Sequence, residues 1–120
     1  VVVISDATVL IALAKTRSLW LLKELWKSVV IPEAVKNEVL SGTLGSLEIT
    51  KAINSGWIKI KKVQNQRLVR MLQNSIRGKG ECECIVLAGE IGASVMLTDD
   101  KKASVTLRFI RDKLSPTLDL

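Results

Sequence analysis

The 120 residues predict an α/β fold in which helices flank a short, mostly parallel central sheet in three layers. Three observations carry this. Val1-Val2-Val3-Ile4 and Ser94-Val95-Met96-Leu97-Thr98 are short apolar runs of the kind buried on both faces of a parallel sheet. Both runs stop on carboxylates, Asp6 in one case and Asp99-Asp100 in the other. Segments with helical spacing of apolar residues separate and follow them.

In chain order, Val1 to Ser5 forms the first strand, and Asp6 or Thr8 caps a helix running to about Ala14. Ser18 caps a second helix with Leu19, Leu22, Leu25 and Trp26 as its apolar stripe, Trp20 and Trp26 serving as packing residues. Val29-Val30-Ile31 is a very short apolar run. Pro32 suits the first position of a helix from Glu33 to Leu40, where its missing N–H is not needed, and Ser41-Gly42 ends it. A helix containing Ile49, Ala52 and Ile53 follows Gly45-Ser46 and closes at Gly56 in a left-handed conformation. Trp57-Ile58-Lys59-Ile60-Lys61 alternates apolar and charged residues, as a strand with one wet face does, and its lysines discourage edge pairing. Gln66 to Ile76 is a helix with Leu68, Leu72 and Ile76 inward and Arg67, Arg70 and Arg77 mostly outward. Gly78-Lys79-Gly80 is a loop, and Glu81 to Ile91 is the next helix, stopped by Gly92. After the Ser94–Thr98 strand, a last helix carries Ala103, Leu107 and Ile110 on one side.

Composition narrows the function. Apolar residues at 48% and only two prolines describe an ordinary globular chain with no disordered segment. The first apolar stretch is interrupted by Asp6 and Lys15 and has no basic leader, so neither a membrane span nor a signal peptide is expected, and the cytoplasm is the expected compartment. There is no His, and Cys82 and Cys84 stand two apart, which argues against a zinc site or a disulfide framework and for small apolar filling. The second half, residues 51–120, carries thirteen basic against seven acidic side chains, the whole of the net +6. That balance suits a polyanion, whose phosphates dominate affinity, although a solvated lysine-rich surface looks the same.

The acids form a pattern. If the two carboxylate-terminated strands are parallel neighbours, Asp6 and Asp99 or Asp100 converge on one rim, where open α/β sheets keep their functional crevice. Like charges at close range raise one another's pKa, and a hard divalent cation, Mg²⁺ or Mn²⁺, relieves this with oxygen ligands. The hydroxyls of Ser5 and Thr98 are placed to orient such ligands or their waters. Glu38 and Glu81 lie on helices that start beside the same rim. Glu81 shares its face with Cys84, Ile85 and Ala88 and is read as facing the packed side, whereas Glu83, with Leu87 and Glu90, is read as peripheral. Glu24, Glu33, Glu48, Glu90, Asp112 and Asp119 are read as surface charges or partners of nearby Lys. Without His or a reactive Cys, base chemistry falls to a metal-activated water, a route to phosphodiester hydrolysis.

These residues resemble a family. Ser5-Asp6-Ala7-Thr8-Val9-Leu10-Ile11-Ala12-Leu13-Ala14-Lys15 resembles the opening motif of PIN-domain nucleases, and Ile31-Pro32-Glu33-Ala34-Val35-Lys36-Asn37-Glu38-Val39 their second. Gly80-Glu81-Cys82-Glu83-Cys84-Ile85-Val86-Leu87-Ala88 resembles the third, G-E-A-E-A-I-x-L-A in one prokaryotic subfamily, and Leu97-Thr98-Asp99-Asp100-Lys101-Lys102-Ala103 the fourth. The resemblance implies a metal-dependent ribonuclease related to the toxins of VapBC-type toxin–antitoxin pairs, filling residues 1–120 as one PIN-like domain with a trimmed C-terminal tail. It carries catalytic roles onto Asp6, Glu38, Glu81 and Asp99 or Asp100, and metal ligation onto Asp6, Glu81 and Asp99 or Asp100. Lys79, Lys101 and Lys102 would hold the RNA backbone, and an antitoxin protein or a second copy of the chain would be its protein partner. Cys82 and Cys84 replace the usual alanines, and Ser104 stands where Arg is frequent. The rival readings are a PIN-fold module of weak or no activity that binds RNA or protein, and a haloacid-dehalogenase-like phosphatase. The latter wants a second Asp where this chain has Thr8.

Overall fold

The computed structural model describes residues 1–42, 44–75 and 78–98. Among them are four strands and six helices: β1 (Val3–Ser5), α1 (Ala7–Lys15), α2 (Trp20–Trp26), β2 (Val29–Pro32), α3 (Glu33–Val39), α4 (Ser46–Ser55), β3 (Ile58–Lys61), α5 (Gln66–Leu72), α6 (Lys79–Ile91) and β4 (Val95–Leu97). The strands form one sheet in the order β3-β2-β1-β4 with every pairing parallel, and the helices flank it. The predicted last helix, with Ala103, Leu107 and Ile110, lies outside the described residues.

Burial accounts for β1, β2 and β3, whereas β4 is half-buried at all three residues rather than covered on both faces, because it ends the strand order among the described residues. Val3 to Ser5 is fully covered, so β1 is a central strand, while Val1 and Val2 stay exposed outside it. The short run Val29-Val30-Ile31 is the other central strand, buried at all four positions through Pro32. Pro32 therefore ends β2 and caps α3, one place earlier than the sequence suggested, because it still pairs with Lys61 of β3. β3 lies at the edge with Lys59 and Lys61 exposed, as its alternation predicted.

The core runs from Ile4 and Leu10 through Val29, Ile31, Val35 and Val39 to Ile49, Ile58, Ile85 and Leu87. Each such side chain contributes about 1.5–3 kcal/mol by leaving water. The helix α6 is its axis: Gly80 and Cys82 to Ala88 are all buried, and a helix covered on every side over about two turns belongs in the middle of a fold. Lys79, Gly89 and Glu90 at its ends are exposed. Gly56 closes α4 at φ +90°, the left-handed state that glycine adopts without strain.

Several boundaries differ from the sequence reading. Of Gly78-Lys79-Gly80 only Gly78 stays outside the helix, as its extended cap: α6 starts at Lys79, and Gly80 packs directly against α3. α5 stops at Leu72, and its buried residue is Val69, with Leu68 and Leu72 half-buried; Ile76 and Arg77 lie outside the described residues. Asp6, not Thr8, caps α1. In α2, Leu19, Leu22 and Trp26 make the inner face, whereas Leu25 at 66% and Trp20 at 59% exposure point to solvent, since Leu25 falls off the i, i+3, i+7 line. Ser18 gives α2 no side-chain cap and donates its hydroxyl to the Thr16 carbonyl instead.

Candidate active site

β1 and β4 are parallel neighbours in the register Ser5 to Leu97, so their carboxyl ends lie side by side at one rim of the sheet. The Asp6 N–H donates to the Leu97 carbonyl at 3.0 Å, which extends this pairing to the first residue past β1. Asp6 is 2% exposed, and its Oδ1 accepts from the Val9 N–H at 2.9 Å. The carboxylate therefore caps α1 and occupies the strand-end position at once. The Ser5 hydroxyl donates to the Asp6 main-chain carbonyl at 3.0 Å, and Thr98 is half-buried just past β4. Asp99, Asp100, Lys101 and Lys102 lie outside the described residues.

Two further carboxylates stand on neighbouring helices. Glu38 is exposed on α3, which follows β2, and Glu81 is half-buried in the first turn of α6. Their proximity shows in their electrostatics. Partial withdrawal from water, then the Glu81 and Asp6 charges, raise the Glu38 carboxyl above its ordinary 4.5. Cys84 lies between them: burial first, then Asp6, Glu81, Glu83 and Glu38, push its thiol well above the ordinary range. Its Sγ–H donates to the Ser5 carbonyl at 3.5 Å and ties α6 to the end of β1. Burial and Glu81 push the Cys82 thiol up to about 11.

Glu83 corrects the sequence reading. It is 4% exposed rather than peripheral, and it accepts from the Ala34 N–H at 3.0 Å and from Gln66 Nε2 at 3.3 Å. The available signal was the run Cys82 to Ala88, apolar on every side except at this residue, which marks a helix with no outer face. Glu90 is also more than a surface charge, because its two oxygens accept from the Gln64 and Asn65 N–H groups at 2.9 and 2.8 Å and cap the approach to α5. Beside Glu38, a cleft of about 420 Å³ opens between α3, α5 and α6, with Asn37, Lys62, Gln66 and Lys79 on its walls. Lys62 belongs to the basic series of the second half, whereas Asn37 and Gln66 carry no signal in the sequence, since only the packing of α3, α5 and α6 brings them together.

This arrangement, a four-stranded parallel sheet with Asp6 buried where β1 ends beside β4, agrees with the family comparison: the PIN domain family matches residues 2–109. The chain belongs to the PIN-domain family. No curated protein and no solved structure matches it. PIN domains are generally nucleases and typically use divalent metals. Among the described residues of this PIN domain, no three Asp, Glu, Cys or His side chains are grouped as a metal site. The donor chemistry nonetheless fits a hard cation. Both nearby thiols are buried and the Cys84 Sγ–H is engaged by the Ser5 carbonyl, there is no His, and the groups left are carboxylates, among which Glu38 feels the Glu81 and Asp6 charges. Among the same residues, no helix is long and apolar enough to cross a membrane.

Proposed function

We propose that this PIN domain is a metal-dependent endoribonuclease and the toxin of a toxin–antitoxin pair, acting in the cytoplasm. The reading is supported above all by the place of Asp6, buried at the carboxyl end of β1 beside parallel β4, with the Asp6 and Glu81 charges felt by the Glu38 carboxyl. Asp6 and Glu81, with Asp99 or Asp100, would hold Mg²⁺ or Mn²⁺, and the bound ion supplies the Lewis acidity for phosphodiester hydrolysis. Glu38, the most exposed of the three described acids, orients the attacking water. Asp6 is held rigid for its task by the Val9 N–H. Lys79, with Lys101 and Lys102, holds the RNA backbone. An antitoxin protein or a second copy of the chain is the protein partner.

Cleavage of single-stranded RNA in Mn²⁺, absent with EDTA and absent in Glu81→Gln, is the expected result. Cleavage undiminished by EDTA or by Glu81→Gln rules the reading out. A PIN-fold module that binds RNA without cutting it is the second reading, to which the basic excess of the second half is equally suited. It predicts RNA binding with no Mn²⁺-dependent product.

A further inference from the structure

Glu83 is a buried carboxylate that the chemistry above does not use. A charge removed from water persists only where its oxygens are hydrogen-bonded, and both of these are. Oε1 accepts from the Ala34 N–H in the first turn of α3, and Oε2 accepts from Gln66 Nε2 at the start of α5. Gln66 Nε2 also donates to the Val63 carbonyl at 3.2 Å, so one side chain joins three helices. Stability is a weak reason for this design, because well-packed apolar residues commonly replace buried charges at no loss.

The consequence lies one turn along α3. Ala34 and Glu38 are four residues apart and share a helix face. Glu83 fixes the first turn of that face to α6, and at the next turn α3 meets α6 at Gly80, where an added Cβ would lie 3.0 Å from Glu38 Oε1. α3 has only seven residues, and Pro32 offers no side-chain cap, so the short helix relies on partners such as Glu83 for its first N–H groups. We propose that Glu83 is a positioning residue: by holding Ala34 against α6 it sets where Glu38 stands relative to Glu81. This rests on the nuclease reading above.

The test compares Glu83→Gln, which keeps an acceptor for the Ala34 N–H, with Glu83→Ala, which removes it. In the metal-free protein, Ala34 amide exchange is expected to quicken at least about 10-fold in Glu83→Ala and to change less than about 3-fold in Glu83→Gln. For RNA cleavage, kcat is expected to fall about 10–100-fold in Glu83→Ala with KM little changed, and to recover in Glu83→Gln. On a Glu38→Gln background the further loss should be under about 3-fold, since the effect passes through Glu38. Should Glu83→Ala fail to fold, Glu83→Asp, which withdraws the acceptor by one methylene, carries the same expectation. Unchanged exchange, an unchanged kcat, or an equal loss on the Glu38→Gln background overturns the positioning role while the nuclease reading stands. A wild-type protein that neither binds Mn²⁺ by calorimetry nor cuts RNA overturns both.

Discussion

Asp6 has two jobs that one pair of substitutions separates. Its Oδ1 accepts from the Val9 N–H at 2.9 Å, and its charge helps to raise the Glu38 carboxyl. Asparagine caps a helix as well as aspartate does, so Asp6→Asn keeps the first job and loses the second. Asp6→Ala loses both. Losing a cap costs about 1 kcal/mol, which for a chain of this size moves the melting temperature by about 4 °C. Asp6→Ala is therefore expected to melt about 4 °C lower than wild type in a circular dichroism scan without metal. Asp6→Asn should melt within about 2 °C of wild type, or higher, because the repulsion on Glu38 is eased. Mn²⁺ binding by calorimetry and RNA cleavage should be lost in both, cleavage by at least about 100-fold. If Asp6→Asn cuts RNA at the wild-type rate, Asp6 has no part in the chemistry. If it melts as low as Asp6→Ala, the charge itself is structural and the separation of roles is wrong.

Other outcomes follow from the same geometry. Glu38 holds its proton above the ordinary 4.5, so its share of stability is full below that pH and is lost as pH rises through the raised folded value. Metal-free Glu38→Gln should therefore melt above wild type at pH 7, the difference vanishing near pH 4; equal melting at both pH values would contradict the crowding of acids. Cys82, at about 11, and Cys84 are fully buried thiols, so a maleimide at pH 8 should modify neither in the native protein and both after denaturation, and rapid native labelling would refute this. Glu90→Ala frees two N–H groups before α5 and should cost about 1 kcal/mol, read as a melting point about 4 °C lower; no change would show that water replaces the carboxylate.

What was legible in the sequence depended on whether a residue's environment is local. Trp57 to Lys61 alternates because one face of an edge strand is wet, and Asp6 declares itself by ending an apolar run ahead of a helix. Gly56 and Gly92 mark helix ends that need a left-handed residue. Periodicity fails where an element has no wet side. The middle of α6, Cys82 to Ala88, is buried all round, so spacing does not show which way Glu83 faces. Its partner Ala34 is 49 residues away, a separation no local pattern encodes. The start of α6 is hidden for a related reason, since glycine at position 80 signals a loop locally and only α3 pressing against it makes it helical. The rim itself was conditional on β1 and β4 being parallel neighbours, which the sheet confirms, while the acids Asp99 and Asp100 beyond β4 lie outside the described residues.

The central claim is that these acids share a divalent ion. Crystals soaked in MnCl₂ test it directly through the anomalous signal of manganese. The account predicts a peak at the carboxyl ends of β1 and β4, at coordination distance from the Asp6 and Glu81 carboxylates and from Asp99 or Asp100. A map with no peak at that rim, in crystals saturated with Mn²⁺, would contradict it.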